Sequence, residues 1–183
     1  MQSRESDEAL SFLDFWLSAG PGAWFAGKGE FDERCRRWLP LWERARAGAL
    51  DGWAETAAGS LARILLLDQI PRNVFRGTPE QFATDGPALT AAESAVAAGH
   101  DRAFPMPVRT FVYLPFEHAE DIAAQERALD LFRAAGDSDA YYWALVHHDA
   151  IRRFGRFPHR NAVLGRPTTD AEAAYLATGG FGA

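Results

Sequence analysis

Thr56-Ala57-Ala58-Gly59-Ser60-Leu61-Ala62-Arg63-Ile64-Leu65-Leu66-Leu67-Asp68-Gln69-Ile70-Pro71 is the stretch that decides the fold. Thr56 can cap a helix here, because its hydroxyl accepts a bond from the unpaired amides of a first turn. Leu61, Ile64, Leu65 and Leu67 follow so closely that the helix surface is apolar nearly all round. Such a helix needs cover on every side, so it is predicted to be the central, buried helix of the core. Pro71 is expected to end it, since proline lacks the N–H and clashes with the preceding turn. Arg63 and Asp68 interrupt the greasy run, which is far too short to cross a bilayer.

Helix signals continue outward on both sides. Ser6, followed by Asp7 and Glu8, is a candidate cap for a helix carrying Phe12, Leu13, Trp16 and Leu17, closed by Gly20-Pro21-Gly22. A second pattern runs from Glu30 to Ala47, with Pro40 expected to kink or split it. Thr78-Pro79-Glu80-Gln81 reads as a capping box that opens a short helix, and another helix should then run from Asp85 or Pro87 to Ala98. Pro115 is expected to interrupt the segment that Pro105 opens. A helix is predicted from Phe116 to Ala135, and another from Asp139 to Phe154 behind a cap at Asp137 or Ser138. Thr169-Asp170-Ala171-Glu172 is a second capping box before a last short helix. Phe111–Leu114 is the one strand-like run, and its prolines and missing partner argue against a strand. The expectation is a single all-α domain over 1–183, built of antiparallel helical hairpins, with frayed first residues and a frayed end over 178–183.

Composition narrows the function classes. The 183 residues are 48% apolar with six Trp and thirteen Phe, as suits a globular chain with a real core. A net charge of −6 disfavours general nucleic-acid binding. Lys28 is the only lysine, so nearly all the basic residues are Arg, the side chain suited to planar, bidentate pairs. The single Cys35 excludes an intramolecular disulfide and a Cys-rich zinc site. The first residues do not read as a signal peptide, so a cytoplasmic protein is expected, with no membrane contact, metal or cofactor.

Two similar elbows stand out. Pro71-Arg72-Asn73-Val74-Phe75-Arg76-Gly77 follows the central helix, and Pro158-His159-Arg160-Asn161-Ala162-Val163-Leu164-Gly165-Arg166 follows the Asp139–Phe154 helix. Arg just past a helix end can bond the last carbonyls, and Asn tolerates tight local backbone. The elbows are therefore either structural staples or Arg-bearing loops that bring cationic forks to a phosphate or carboxylate. On the second reading Arg72, Asn73, Arg76, Arg156, Arg160 and Asn161 are the ligand-binding candidates. Arg152, Arg153, Arg156, Arg160 and Arg166 crowd one stretch that has no acid.

The opposing cluster is Glu117-His118-Ala119-Glu120-Asp121. On one helix, Glu117 would share a face with Glu120 and Asp121, and His118 would lie a turn from Asp121. With His159, these residues (Glu117, His118 and Asp121) are candidates for acid–base catalysis. No second ligand motif supports a metal. His147 falls on an apolar helix face and reads as a core histidine. The elbows and the acidic turn are expected to meet in space.

Several long segments resemble the domain-of-unknown-function 924 family. They are Leu65–Thr78, Phe82–Asp85, Tyr113–Asp121 and Arg153–Asn161, with Leu13-Asp14-Phe15-Trp16 near the start. Ile70 stands where Phe is usual, and Ala119 where Ser is common. The resemblance implies a bacterial protein with a tetratricopeptide-like fold, its hairpins stacked in a right-handed superhelix. It implies no activity. Three readings follow: a non-catalytic module binding an acidic peptide or small anion, a small hydrolase or other acid–base enzyme, and a purely structural polar network. The residues favour the first.

Overall fold

A computed structural model describes residues 2–26 and 29–182, with side chains from Asp7 onward. It is all-helical, and no strand occurs among the described residues. The chain forms two compact units. One comprises the residues up to Arg76 with Glu80–Pro115, and the other Gly77–Pro79 with the residues from Phe116 onward.

The first unit is built on α5 (Ala57–Val74), which is buried on nearly every face, as its all-round apolar pattern requires. The Thr56 hydroxyl caps it, accepting from the Gly59 amide at 3.0 Å. Around it pack α1 (Gln2–Ala19), α3 (Glu30–Cys35), α4 (Leu39–Arg46) and α6 (Asp85–Ala97). The short α2 (Pro21–Trp24) follows α1. Pro40 splits the 30–47 pattern as expected: a 3₁₀ turn over Arg36–Trp38 separates α3 from α4, and the proline lies in the first turn of α4. α1 begins at Gln2, upstream of the cap expected at Ser6. Edge-to-face aromatic contacts join these elements. Trp16 and Trp24 meet Phe111 at 5.5 and 5.0 Å between centroids. Cys35 is fully buried, and burial, with the nearby Asp32 carboxylate, pushes its thiol up to about 12.

Two prolines behave differently from expectation. Pro71 does not end α5, which continues to Val74. Pro115 does not break its segment either: α7 runs unbroken from Thr110 to His118 and contains the strand-like Phe111–Leu114 run. At Pro71 the reason is visible. Its missing N–H leaves the Leu67 carbonyl without a helical donor. The Thr84 hydroxyl fills that role at 2.5 Å, and Trp42 Nε1 donates to the same hydroxyl at 3.2 Å.

The second unit contains the end of α7, the hairpin α8 (Ile122–Ala135) and α9 (Ser138–Phe154), a 3₁₀ turn over Pro158–Arg160, and α10 (Asp170–Ala177). Asp137 caps α9, and Thr169 with Glu172 forms the full capping box of α10. The predicted Phe116–Ala135 helix is instead two helices. The Asp121 carboxylate accepts from the Ala124 amide at 2.8 Å and starts α8. Gln125 Nε2 closes the end of α7 by donating to the carbonyls of Glu117 at 2.6 Å and Ala119 at 2.8 Å. Ala150, Ile151 and Phe157 form one buried apolar cluster of this unit, with Tyr175 and Phe181 packed against it; Ala128, Phe132 and Ala144 are also fully buried. No helix among the described residues is long and apolar enough to cross a membrane.

Candidate functional site

The first elbow lies in the last turn of α5. Arg72 Nη1 donates to the Asp68 carbonyl at 2.7 Å and lies 3.2 and 2.8 Å from the carboxylates of Asp68 and Asp85. Burial disfavours its charge, but the two carboxylates more than offset this and hold the guanidinium firmly protonated. Asn73 donates back to the Gln69 carbonyl at 3.1 Å, and Arg76 lies 3.4 Å from Asp32. Each of these three side chains has a partner within the first unit.

The second elbow has a different backbone. Its Arg-Asn pair follows an extended Phe157 and lies at the end of the 3₁₀ turn. Gly165, at φ 64°, then reverses the chain so that the Arg166 amide reaches the Asn161 carbonyl at 2.8 Å. Most of the arginines crowded here meet carboxylates. Arg156 forks onto Glu172 at 2.6 and 2.9 Å, Arg166 forks onto Glu120 at 2.7 and 2.9 Å, and Arg153 lies 2.8 Å from Asp149. The Arg156 fork and then the Thr169 amide pull the Glu172 carboxyl down to about 2. Burial alone would raise the Glu120 carboxyl, yet Arg166 and the Phe157 amide hold it below its ordinary range. Asn161 is fully buried, accepting from Arg166 Nε at 3.0 Å and donating to Thr168 at 3.3 Å.

Because α7 stops at His118, the acidic residues do not share one helix face. Asp121 serves the start of α8, and Glu120 serves Arg166 and the Phe157 amide. Glu117, only 3% exposed, turns to His147, whose Nδ1 lies 2.9 Å from its carboxylate and 2.8 Å from the Trp143 carbonyl. Both neighbours are acceptors, so Nδ1 carries the proton.

Around that pair the second unit gathers three more candidates. Arg160, 6% exposed, donates to the His118 carbonyl at 2.9 Å, and its guanidinium lies 4.5 Å from the Phe157 ring centroid. The His118 ring is 6.2 Å from that of His147. His159 packs on Phe157 and Phe181, at 5.6 and 4.9 Å between centroids. Its imidazole is pushed down to about 4 by burial, then by the positive Arg160, then by His147. Its Nδ1 is buried with no hydrogen-bond partner among the described residues. Thus Glu117, His118, His159 and Arg160 fall within one unit, while Asp121 serves to cap α8. His147, read from the sequence as core, is a central member of the group. Its one sequence signal is a histidine at an inward position among Ala140, Ala144 and Ile151. Among the described residues, no three His, Cys, Asp or Glu side chains are placed to hold a metal ion.

Residues 12–180 match the family described as bacterial protein of unknown function, DUF924. The chain belongs to this family. Among solved structures it is similar to a protein of unknown function, ATU0120, from Agrobacterium tumefaciens, with 47% identity and a TM-score of 0.91. The match covers 95% of this chain and 99% of that one. No curated protein matches. The DUF924 likeness therefore supports the fold and the family.

Proposed function

We propose that this DUF924 protein is a non-catalytic module that binds a small anion at the His147–His159–Arg160 cluster of its second unit. The observation that carries the proposal is His159. A half-buried imidazole with an unpartnered Nδ1, beside a buried guanidinium, is a donor position that an anion would complete. In this reading Arg72, Arg76 and Arg156 act as staples through the carboxylates of Asp85, Asp32 and Glu172. That moves the proposal away from an extended acidic peptide and towards one compact anion. We extend to the scaffold the tetratricopeptide-like stacking implied by the family resemblance, which the α8–α9 hairpin supports. We place the protein in the cytoplasm, in keeping with its single buried thiol.

The test is an NMR titration of the histidine ring signals with inorganic phosphate and with acetate. The expected result is a saturable shift of His159 and a rise in its titration midpoint, both lost in Arg160→Gln. Ring signals that ignore both anions, at unchanged melting temperature, would refute the site. A second reading, acid–base catalysis, is favoured by the Glu117–His147 contact, which fixes one tautomer and leaves Nε2 as the basic nitrogen.

A further inference from the structure

The α9 helix carries its buried residues Ala144, His147, Ala150 and Ile151 on one side. At the helical repeat, the opposite side is a stripe of Ser138, Tyr142, Leu145, Asp149 and Arg153. Tyr142 is 59% exposed and Leu145 41%, and Trp143 flanks them at 53%. These are three of the seven large apolar side chains exposed among the described residues, and they fall within a single turn. Exposed apolar residues scattered singly are ordinary, whereas a cluster marks a surface for association. The Tyr142 and Trp143 rings meet edge to face at 5.5 Å, so the patch is ordered before anything covers it.

Charge runs along the same helix with a definite polarity. Asp139 lies exposed in its first turn, and Arg152 and Arg153 lie exposed in its last. Asp139 makes no ion pair among the described residues, and Arg152, with 66% of its side chain exposed, meets Asp149 only at 3.9 Å. We infer that α9 packs antiparallel against α9 of a second copy of this chain, about a two-fold axis between Leu145 and Val146. That point is midway between Asp139 and Arg152 and also midway between Tyr142 and Asp149. One axis therefore sets Asp139 against the partner's Arg152, Tyr142 against the partner's Asp149, and Leu145 against the partner's Val146. Asp149 already accepts from Arg153 at 2.8 Å, and a carboxylate has room for the tyrosine hydroxyl as well. Each pair occurs twice, as in any isologous interface. A parallel pairing would oppose acid to acid and arginine to arginine, and like charges reject it. The apolar turn lies at the centre with the charges at its rim, as in protein interfaces generally. One helix pair is a small contact, so the dimer dissociates on dilution. This face lies across α9 from His147, so the dimer neither uses nor requires the anion site.

The experiment is analytical ultracentrifugation of the full chain over roughly 5–500 µM, with Leu145→Asp, Asp139→Arg and Arg152→Asp alongside. All three positions are exposed, so the changes leave the fold in place. The native chain is expected to pass from monomer to dimer across that range, and Leu145→Asp to remain monomeric. Each charge reversal alone is expected to weaken self-association about tenfold. Mixed in equal amounts, Asp139→Arg and Arg152→Asp restore both pairs across the axis and should associate as the native chain does. A native chain that stays monomeric throughout overturns the dimer. A dimer that survives Leu145→Asp overturns this face as its contact. If the reversals change nothing, or weaken association without recovery in the mixture, the antiparallel register is wrong.

Discussion

His159 takes a heavy electrostatic load for a side chain with no ion pair among the described residues. Its folded-state value is about 4, against 6.5 ordinarily. Between those values the unfolded chain binds the proton and the folded chain does not. The His159 contribution to stability is therefore full above about pH 6.5 and declines as pH falls towards about 4. Glu172 acts in a lower window, because its carboxyl drops from 4.5 to about 2 on folding, so its contribution is lost as pH falls through that range. The urea midpoint should fall with pH in both windows. His159→Phe keeps the ring contacts and should flatten only the upper one; an unchanged upper slope would assign that loss to another group. Neither window is legible in the sequence. Their causes are neighbours placed by folding, such as Arg160 beside His159 and Arg156 on Glu172, sixteen residues away.

Helices fix where those neighbours come to lie, and at this scale local pattern is only partly informative. Thr56, Asp137 and Thr169 were readable as caps because short oxygen side chains ahead of an apolar run have few better roles. The 119–121 break was hidden, because Glu117–Ala135 has no glycine or proline to mark it. It arises from competition: Asp121 bonds the Ala124 amide, and Gln125 takes the carbonyls left open at the end of α7. Pro71 lies inside α5, against its usual breaking role, for a related reason. Its cost is offset by Thr84, which lies outside α5. Removing that hydroxyl in Thr84→Val should cost about 1–3 kcal/mol, since a buried carbonyl and the Trp42 indole N–H both lose a partner. Pro71→Ala restores an amide to the Leu67 carbonyl and should recover part of that loss in the double variant. A denaturant-based double-mutant cycle with no coupling between the two positions would contradict the replacement.

Across the whole molecule, the all-helical class was the most legible property. It follows from one helix with no polar face, which obliges other helices to surround it, and from aromatic residues at helical spacing such as Phe12 and Trp16. The candidate site was only half legible. Glu117, His118, His159 and Arg160 stood in motifs. Their partners came from distant positions: His147 is thirty residues from Glu117 by number, and Phe181 lies beyond the last helix. The likeness of the two elbows was a likeness of composition, since one is helical and the other a 3₁₀ turn.

The lone Cys35 makes the first unit its own stopwatch. A fully buried thiol raised to about 12 offers roughly one thiolate in 10⁵ at neutral pH, and none of it within reach of a reagent. Alkylation must wait for α3 to open, and with no second cysteine every modified molecule records one such opening. Iodoacetamide labelling followed by intact-mass spectrometry should therefore be slow in native buffer and quicken with sub-denaturing urea. Labelling at the rate of a solvent-exposed thiol would show that this unit does not keep Cys35 enclosed.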